Sequence, residues 1–147
     1  MLRKIIFTMA VSIASLGAAD AQSAGSVLED FGFFGRWAPD CSKPPGPDNS
    51  TRQTMVTSAD EVRWTEDTGS RASRNRYRVI EAERLAPDKI RVRIELNGAI
   101  LEDLVVVKEG GKVRTMSNKM IENGQYLVAD GIILSIGRPT PWMTKCR

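Results

Sequence analysis

The chain contains no histidine. That removes Ser-His-Asp and Cys-His nucleophilic catalysis, and every His-ligated metal site. It has two cysteines, Cys41 and Cys146. Neither has a second cysteine beside it, so a zinc site lacks ligands. There is no phosphate-cradling loop and no dinucleotide fingerprint. The acidic pairs Glu29-Asp30, Asp60-Glu61, Glu66-Asp67 and Glu102-Asp103 are sequence neighbours. Adjacent residues on a strand face opposite sides, so these read as solvated charge rather than catalytic dyads. The expectation is a protein that is not an enzyme and holds no metal or cofactor.

Long apolar runs are also scarce. The single one, from Ile5 to Ala18, follows Arg3 and Lys4 and precedes Ala19-Asp20-Ala21. A short basic segment, an apolar run shorter than the ~20 residues of a spanning helix, and a small-x-small site make a secretory signal peptide over 1–21. The expected product is a soluble periplasmic or secreted protein starting at Gln22, with no stable membrane insertion. Removing Arg3, Lys4 and Asp20 lowers the totals from 21 basic and 18 acidic residues to 19 and 17, a net charge of +2. A balance so near neutral gives no reason to expect a nucleic-acid partner. In an exported chain of this size, Cys41 and Cys146 are expected to bond, joining the first strand to the far end of the fold.

Turn signals are frequent and evenly spaced. Pro87-Asp88, Asn97-Gly98, Gly110-Gly111, Asn123-Gly124 and Asp130-Gly131 punctuate strand-like segments. Asn-Gly and Asp-Gly favour the positive-φ turns of tight hairpins. Strands are expected over 33–41, 54–58, 61–66, 75–84, 89–96, 99–108, 112–117, 125–129 and 132–137. The fold class is all-β, a small antiparallel meander barrel of about eight strands closed by one disulfide. Residues 22–32 form a leader with a short helical turn, and 33–147 form a single barrel domain. Residues 42–50 hold three prolines and a glycine and read as a loop.

The segment 89–96 alternates cleanly, with Ile90, Val92, Ile94 and Leu96 inward. Its partner allows two registers. One sets Ile80 opposite Ile94 and Ala82 opposite Val92, pairs Glu81 with Arg93 and Glu83 with Arg91, and turns Arg74, Arg76 and Arg78 inward or to the rim. A slip of one residue sends Tyr77 and Val79 inward and the arginines outward.

Two groups of residues are candidates for binding. Arg74, Arg76 and Arg78, with Arg71 nearby, form a row able to hold carboxylate, phosphate or sulfate, or else a solvated face balanced by Glu81, Glu83 and Glu95. Trp37, Trp64 and Tyr77 either fill a core or line a calyx for an apolar ligand.

Gly35-Arg36-Trp37, on the first strand after a helical turn, resembles the Gly-x-Trp signature of lipocalins and the wider calycin barrels. That resemblance implies that Gly35 and Trp37 close one end of a barrel and that an arginine from a late strand covers the tryptophan, here Arg138. Trp142 is expected near Trp37 at the clasp. The longer pattern, Trp37-Ala38-Pro39-Asp40-Cys41-Ser42 with Thr140-Pro141-Trp142 and Cys146, is similar to small uncharacterised exported proteins of Gram-negative bacteria. That similarity carries no activity, and the function expected comes from the lipocalin-like barrel: non-catalytic binding of a small apolar or amphipathic/anionic ligand in the cell envelope. The alternative is a protein-interaction module, such as a periplasmic hydrolase inhibitor presenting loop 42–50 to an envelope protein.

Overall fold

Residues 22–57, 61–70 and 74–147 are described by a computed structural model. The expected signal peptide lies outside them, as does Arg71. One helix, α1 (Ala24–Phe31), precedes β1 (Gly35–Ala38), β2 (Thr51–Val56), β3 (Val62–Asp67), β4 (Arg74–Ala86), β5 (Lys89–Leu96), β6 (Ile100–Glu109), β7 (Lys112–Met120), β8 (Tyr126–Ala129), β9 (Ile132–Ile133), β10 (Arg138–Pro139) and β11 (Met143–Lys145). Each of β1 to β7 pairs antiparallel with the next. The three-residue β11 then joins β7 to β1 and closes an eight-stranded barrel.

Strands β8, β9 and β10 are not in this ring. They hang from the far half of β7 as a flap. The division of β7 explains the arrangement. Its first residues pair with β11 at Lys112 and Val113, and its last with β8 at Asn118 and Lys119. Sequence periodicity places strands at 125–129 and 132–137 but not the closing strand, because three residues are too few to show a period.

Helix α1 plugs one end. Ser23 caps it, accepting from the Ser26 N–H at 3.2 Å. Gly32, with φ 74°, ends it in a Schellman motif, in which the Gly32 N–H donates to Glu29 and the Phe33 N–H to Leu28. Lys108 Nζ donates to the Phe31 carbonyl at 3.0 Å, placing a cation at the negative end of the helix dipole. Val27, Leu28 and Phe31 are buried and enter the core with Phe33, Trp37 and Trp64. The Phe33 ring lies 6.2 Å from Trp37 and 5.5 Å from Trp64. The Trp37 indole N–H donates to the Phe33 carbonyl at 2.9 Å.

Both registers left open for β4 occur, on either side of a bulge at Ile80. Glu81↔Arg93, Ala82↔Val92 and Glu83↔Arg91 hold on one side, and Val79↔Ile94, Arg78↔Glu95 and Tyr77↔Leu96 on the other. The extra residue, Ile80, is exposed. A bulge flips the inward face by one residue, so Ala82 and Val79 both reach the core. The arginine row therefore faces out.

Cys41 and Cys146 are bonded, with Cα atoms 5.5 Å apart and 105 residues between them. The first strand ends at Ala38, and Pro39 turns the chain so that Cys41 comes back beside β11, with Sγ 3.7 Å from the Thr144 carbonyl oxygen. This turn corrects the expected placement of the tryptophans. Trp37 is buried inside the barrel. Trp142 is half-buried on the opposite face from inward-pointing Met143, and its ring packs on the Arg114 guanidinium at 4.8 Å. The covering cation also differs from the expected one. Lys145 Nζ lies 5.8 Å from the Trp37 ring centre, whereas Arg138 is exposed on β10 with Asp48 at 3.7 Å. Arg138 sits on the flap, outside the ring, so it is not the late-strand residue beside Trp37.

Candidate ligand-binding site

Strand alternation decides what the barrel encloses. Near α1 the inward residues are apolar: Val62, Val79, Val92, Val106 and Val113. Towards the other end the same alternation brings in Arg52 and Thr54 from β2, Trp64 and Glu66 from β3, Tyr77 from β4, and Glu102 and Leu104 from β6. A bulge at Met116 in β7 separates the pairs Val106↔Thr115 and Leu104↔Asn118. It turns Asn118 inward beside Glu102.

The same bulge docks the flap. The Gly131 N–H donates to the Met116 carbonyl at 2.8 Å, and the Thr140 hydroxyl to the Thr115 carbonyl at 2.7 Å. Asp130 and Gly131, with φ 49° and 73°, form the positive-φ turn that their dipeptide favours. The flap thus lies across the polar end of the barrel and leaves a hollow beneath it.

This hollow is a cavity of about 870 Å³. Its ring wall includes Arg52, Trp64, Glu66, Tyr77, Ile94, Glu102, Leu104, Asn118 and Met143, and its cover includes Leu127, Val128, Ile133, Leu134 and Pro141. Leu134 is 53% exposed as well as cavity-lining, so the mouth has an apolar rim. The volume falls in the range of small-molecule sites, roughly 300–1,000 Å³, and the mix of an apolar wall with few polar groups is the usual one.

The polar groups are unevenly satisfied. Arg52 is 8% exposed, and its guanidinium carbon stacks 3.9 Å from the Trp64 ring centre. One nitrogen, Nη2, approaches Glu66 Oε1 at 3.6 Å, while Nε and Nη1 meet no hydrogen-bond partner among the described residues. Burial pushes the guanidinium below its ordinary pKa, opposed by the charge of Glu66. A guanidinium starts so high that it keeps its charge. Burial, then the charges of Glu66 and Glu102, pushes the Tyr77 phenol up. Its O–H is therefore a donor at neutral pH, and its oxygen accepts from Asn75 Nδ2 at 3.2 Å. Glu102 is buried and accepts from Asn118 Nδ2 at 2.7 Å.

Of the residues singled out from sequence, the structure brings Trp64 and Tyr77 together on the cavity wall, with rings 5.7 Å apart. Trp37 lies deeper and lines no part of it. Arg74, Arg76 and Arg78 are on the outer face of β4. Arg74 pairs with Asp67 at 3.1 Å and Arg78 with Glu95 at 2.9 Å, while Arg76 shares a smaller depression with Arg36, Gln53 and Thr65. Sequence reasoning missed Arg52 and Asn118 and read Glu66 and Glu102 as solvated charge, whereas Glu102 is buried and both line the cavity, because strand alternation turns one member of each acidic pair inward. The Arg52 signal was present: carrying the β2–β3 hairpin pairing outward from Val56↔Val62 through Thr54↔Trp64 reaches Arg52↔Glu66, an opposite-charge pair.

Loop 42–50 is held chiefly by Asn49, with Asp40 accepting from the Ser42 N–H and hydroxyl at its start. Asn49 Nδ2 donates to the carbonyls of Asp40, Lys43 and Pro44, and its Oδ1 accepts from the Asp40 N–H at 2.9 Å. Gly69, at φ 86°, lies against this loop, where an added Cβ would fall 2.5 Å from the Pro45 carbonyl oxygen.

Comparison with protein-family models, with curated proteins and with solved structures finds no match. The functional reading therefore rests on the geometry of this chain.

Proposed function

We propose that the protein is an exported, soluble, non-catalytic binding module whose barrel holds one small apolar or amphipathic molecule in the cell envelope. The observation that carries this reading is the hollow of about 870 Å³ beneath the flap. A protein interior is ordinarily packed to crystal-like density, so a space of this size and lining is a departure that a ligand would repair. The Gly35-Arg36-Trp37 resemblance to lipocalins supports the same reading. The disulfide is compatible with an oxidising compartment.

The test is to fill the hollow from its apolar wall. Leu104 is 4% exposed and lines the cavity. Leu104 belongs to the buried core and also borders the hollow, so Leu104→Trp can project its larger ring into the hollow, and a thermal melt checks that the fold survives. Binding of the apolar dye N-phenylnaphthylamine, followed by its fluorescence, should weaken about tenfold or more, the order expected for losing well over 1.4 kcal/mol of contact. Dye binding that is unchanged in a folded Leu104→Trp protein, or absent from the unaltered one, defeats the reading.

A further inference from the structure

We infer that Arg52 is the anion-receiving residue of this cavity, and that the molecule held there carries a single negative charge, of the carboxylate class, on an apolar chain. The inference rests on the cavity being a ligand site. Buried guanidinium groups ordinarily have their N–H groups met, because each unmet donor keeps the desolvation cost without a return. Arg52 is buried to 8% exposure, yet Nε and Nη1 are without partners among the described residues. Its near neighbours are the face of Trp64 and one Glu66 oxygen at 3.6 Å, longer than a hydrogen bond. The fold thus keeps buried charged donors that it does not itself use, on a residue that lines a ligand-sized space, so that a turn of the Arg52 side chain would present them to a ligand.

A carboxylate oxygen meets such donors with short, charge-assisted hydrogen bonds. The protonated Tyr77 hydroxyl lies in the same wall as a further donor. Ile94, Leu104 and Met143 offer the apolar surface for a chain. Among anions, charge disfavours a dianion, and the unmet Arg52 donors are what call for an anion at all. The cavity is lined by one guanidinium and by the carboxyl groups of Glu66 and Glu102. A dianionic phosphate monoester would bring a second negative charge against both, and close like charges repel more strongly in a partly desolvated site than in water. An alkylammonium ion would turn to Glu66 and Glu102 and leave the Arg52 donors unmet.

Isothermal titration calorimetry with dodecanoate, dodecanol and dodecylamine near neutral pH tests this on the unaltered protein, on Arg52→Gln and on Glu66→Gln. The unaltered protein should bind dodecanoate about tenfold or more tightly than dodecanol, the margin of one charged hydrogen bond. Arg52→Gln should erase that margin while dodecanol affinity stays within about twofold, which also shows that the cavity survives the change. Glu66→Gln removes the competing oxygen and should widen the dodecanoate margin by about threefold or more. It carries the test if Arg52→Gln does not fold. Equal affinity for dodecanoate and dodecanol in the unaltered protein overturns the role of Arg52 but leaves a binding cavity. A preference for dodecylamine, or an unchanged margin in the variants, overturns it too. Failure of dodecanol as well as dodecanoate removes the cavity reading itself, and this inference with it.

Discussion

Replacing both Cys41 and Cys146 by alanine should cost this fold about 4–5 kcal/mol. The bond spans 105 residues, nearly the whole described chain, so in the chain-entropy account its loss frees the unfolded ensemble more than it alters the folded one. Against a total stability on the order of 5–15 kcal/mol this is a large share. Little else holds the seam. β1 and β11 pair through Trp37↔Lys145 and Ala38↔Thr144, and the Cys146 N–H donates to the Arg36 carbonyl at 2.8 Å. Urea unfolding followed by tryptophan fluorescence reads the loss. The midpoint should fall and the m-value should rise, because the unlinked chain exposes more surface when unfolded. The thermal midpoint should drop by roughly 10–20 °C for a domain of this size. Amide exchange should quicken first in β11 and β1, where the ring is closed by three residues. A loss under about 1 kcal/mol with an unchanged m-value would refute the entropic account of this clasp.

Two further outcomes follow from local geometry. The Asp40 carboxyl is held down to about 2 by the Ser42 hydroxyl first, then by Lys43 and the Ser42 N–H. A carboxyl depressed on folding contributes stability above its unfolded value and loses that contribution as pH falls through its folded one. The anchoring of loop 42–50 through Asp40 should therefore persist down through about pH 4 and be lost towards pH 2. A carboxyl-carbon NMR titration with its midpoint at or above the ordinary 3.8 contradicts this. Gly131 has φ 73°, and an added Cβ would sit 3.2 Å from Arg114 Nη2 and 3.3 Å from Met116 Sδ. Gly131→Ala should cost about 1–2 kcal/mol and loosen the flap before the ring. Hydrogen exchange in β8 and β9 that matches the unaltered protein counts against it.

Period and punctuation were enough to read most of the ring. Lys89–Leu96 alternates without a break, and Asn97-Gly98 turns where a positive-φ pair should, with φ 51° and 79°. What escaped was what breaks a period. The bulge at Ile80 made two registers equally plausible for β4 because both are used. The bulge at Met116 carried Asn118 from the apparent outer face to the inner one. β11 was too short to register at all, and the segments 125–129 and 132–137 read as ring strands, whereas the first belongs to the flap and the second is a strand only at Ile132–Ile133 before the chain turns. None of these events is encoded by the residues of one strand alone. Each is settled by what the neighbouring strand offers.

The same point bears on the charged residues. A row of arginines two apart is conspicuous in sequence, and conspicuous charge is ordinarily solvated charge. Arg74 and Arg78 have found Asp67 and Glu95 on the outer face, where ion pairs contribute little and ask nothing of the fold. Arg52 has no arginine beside it in sequence to draw notice. It sits in an alternating strand whose other inward residue is Thr54, so its facing follows from pairing with Glu66 rather than from composition. A buried cation with unmet donors is costly, and the barrel could have removed that cost with an apolar side chain of similar length. The charge is instead kept where the wall is hollow and Tyr77 can donate, which is why the anion-binding expectation passes from the exposed row to this single residue.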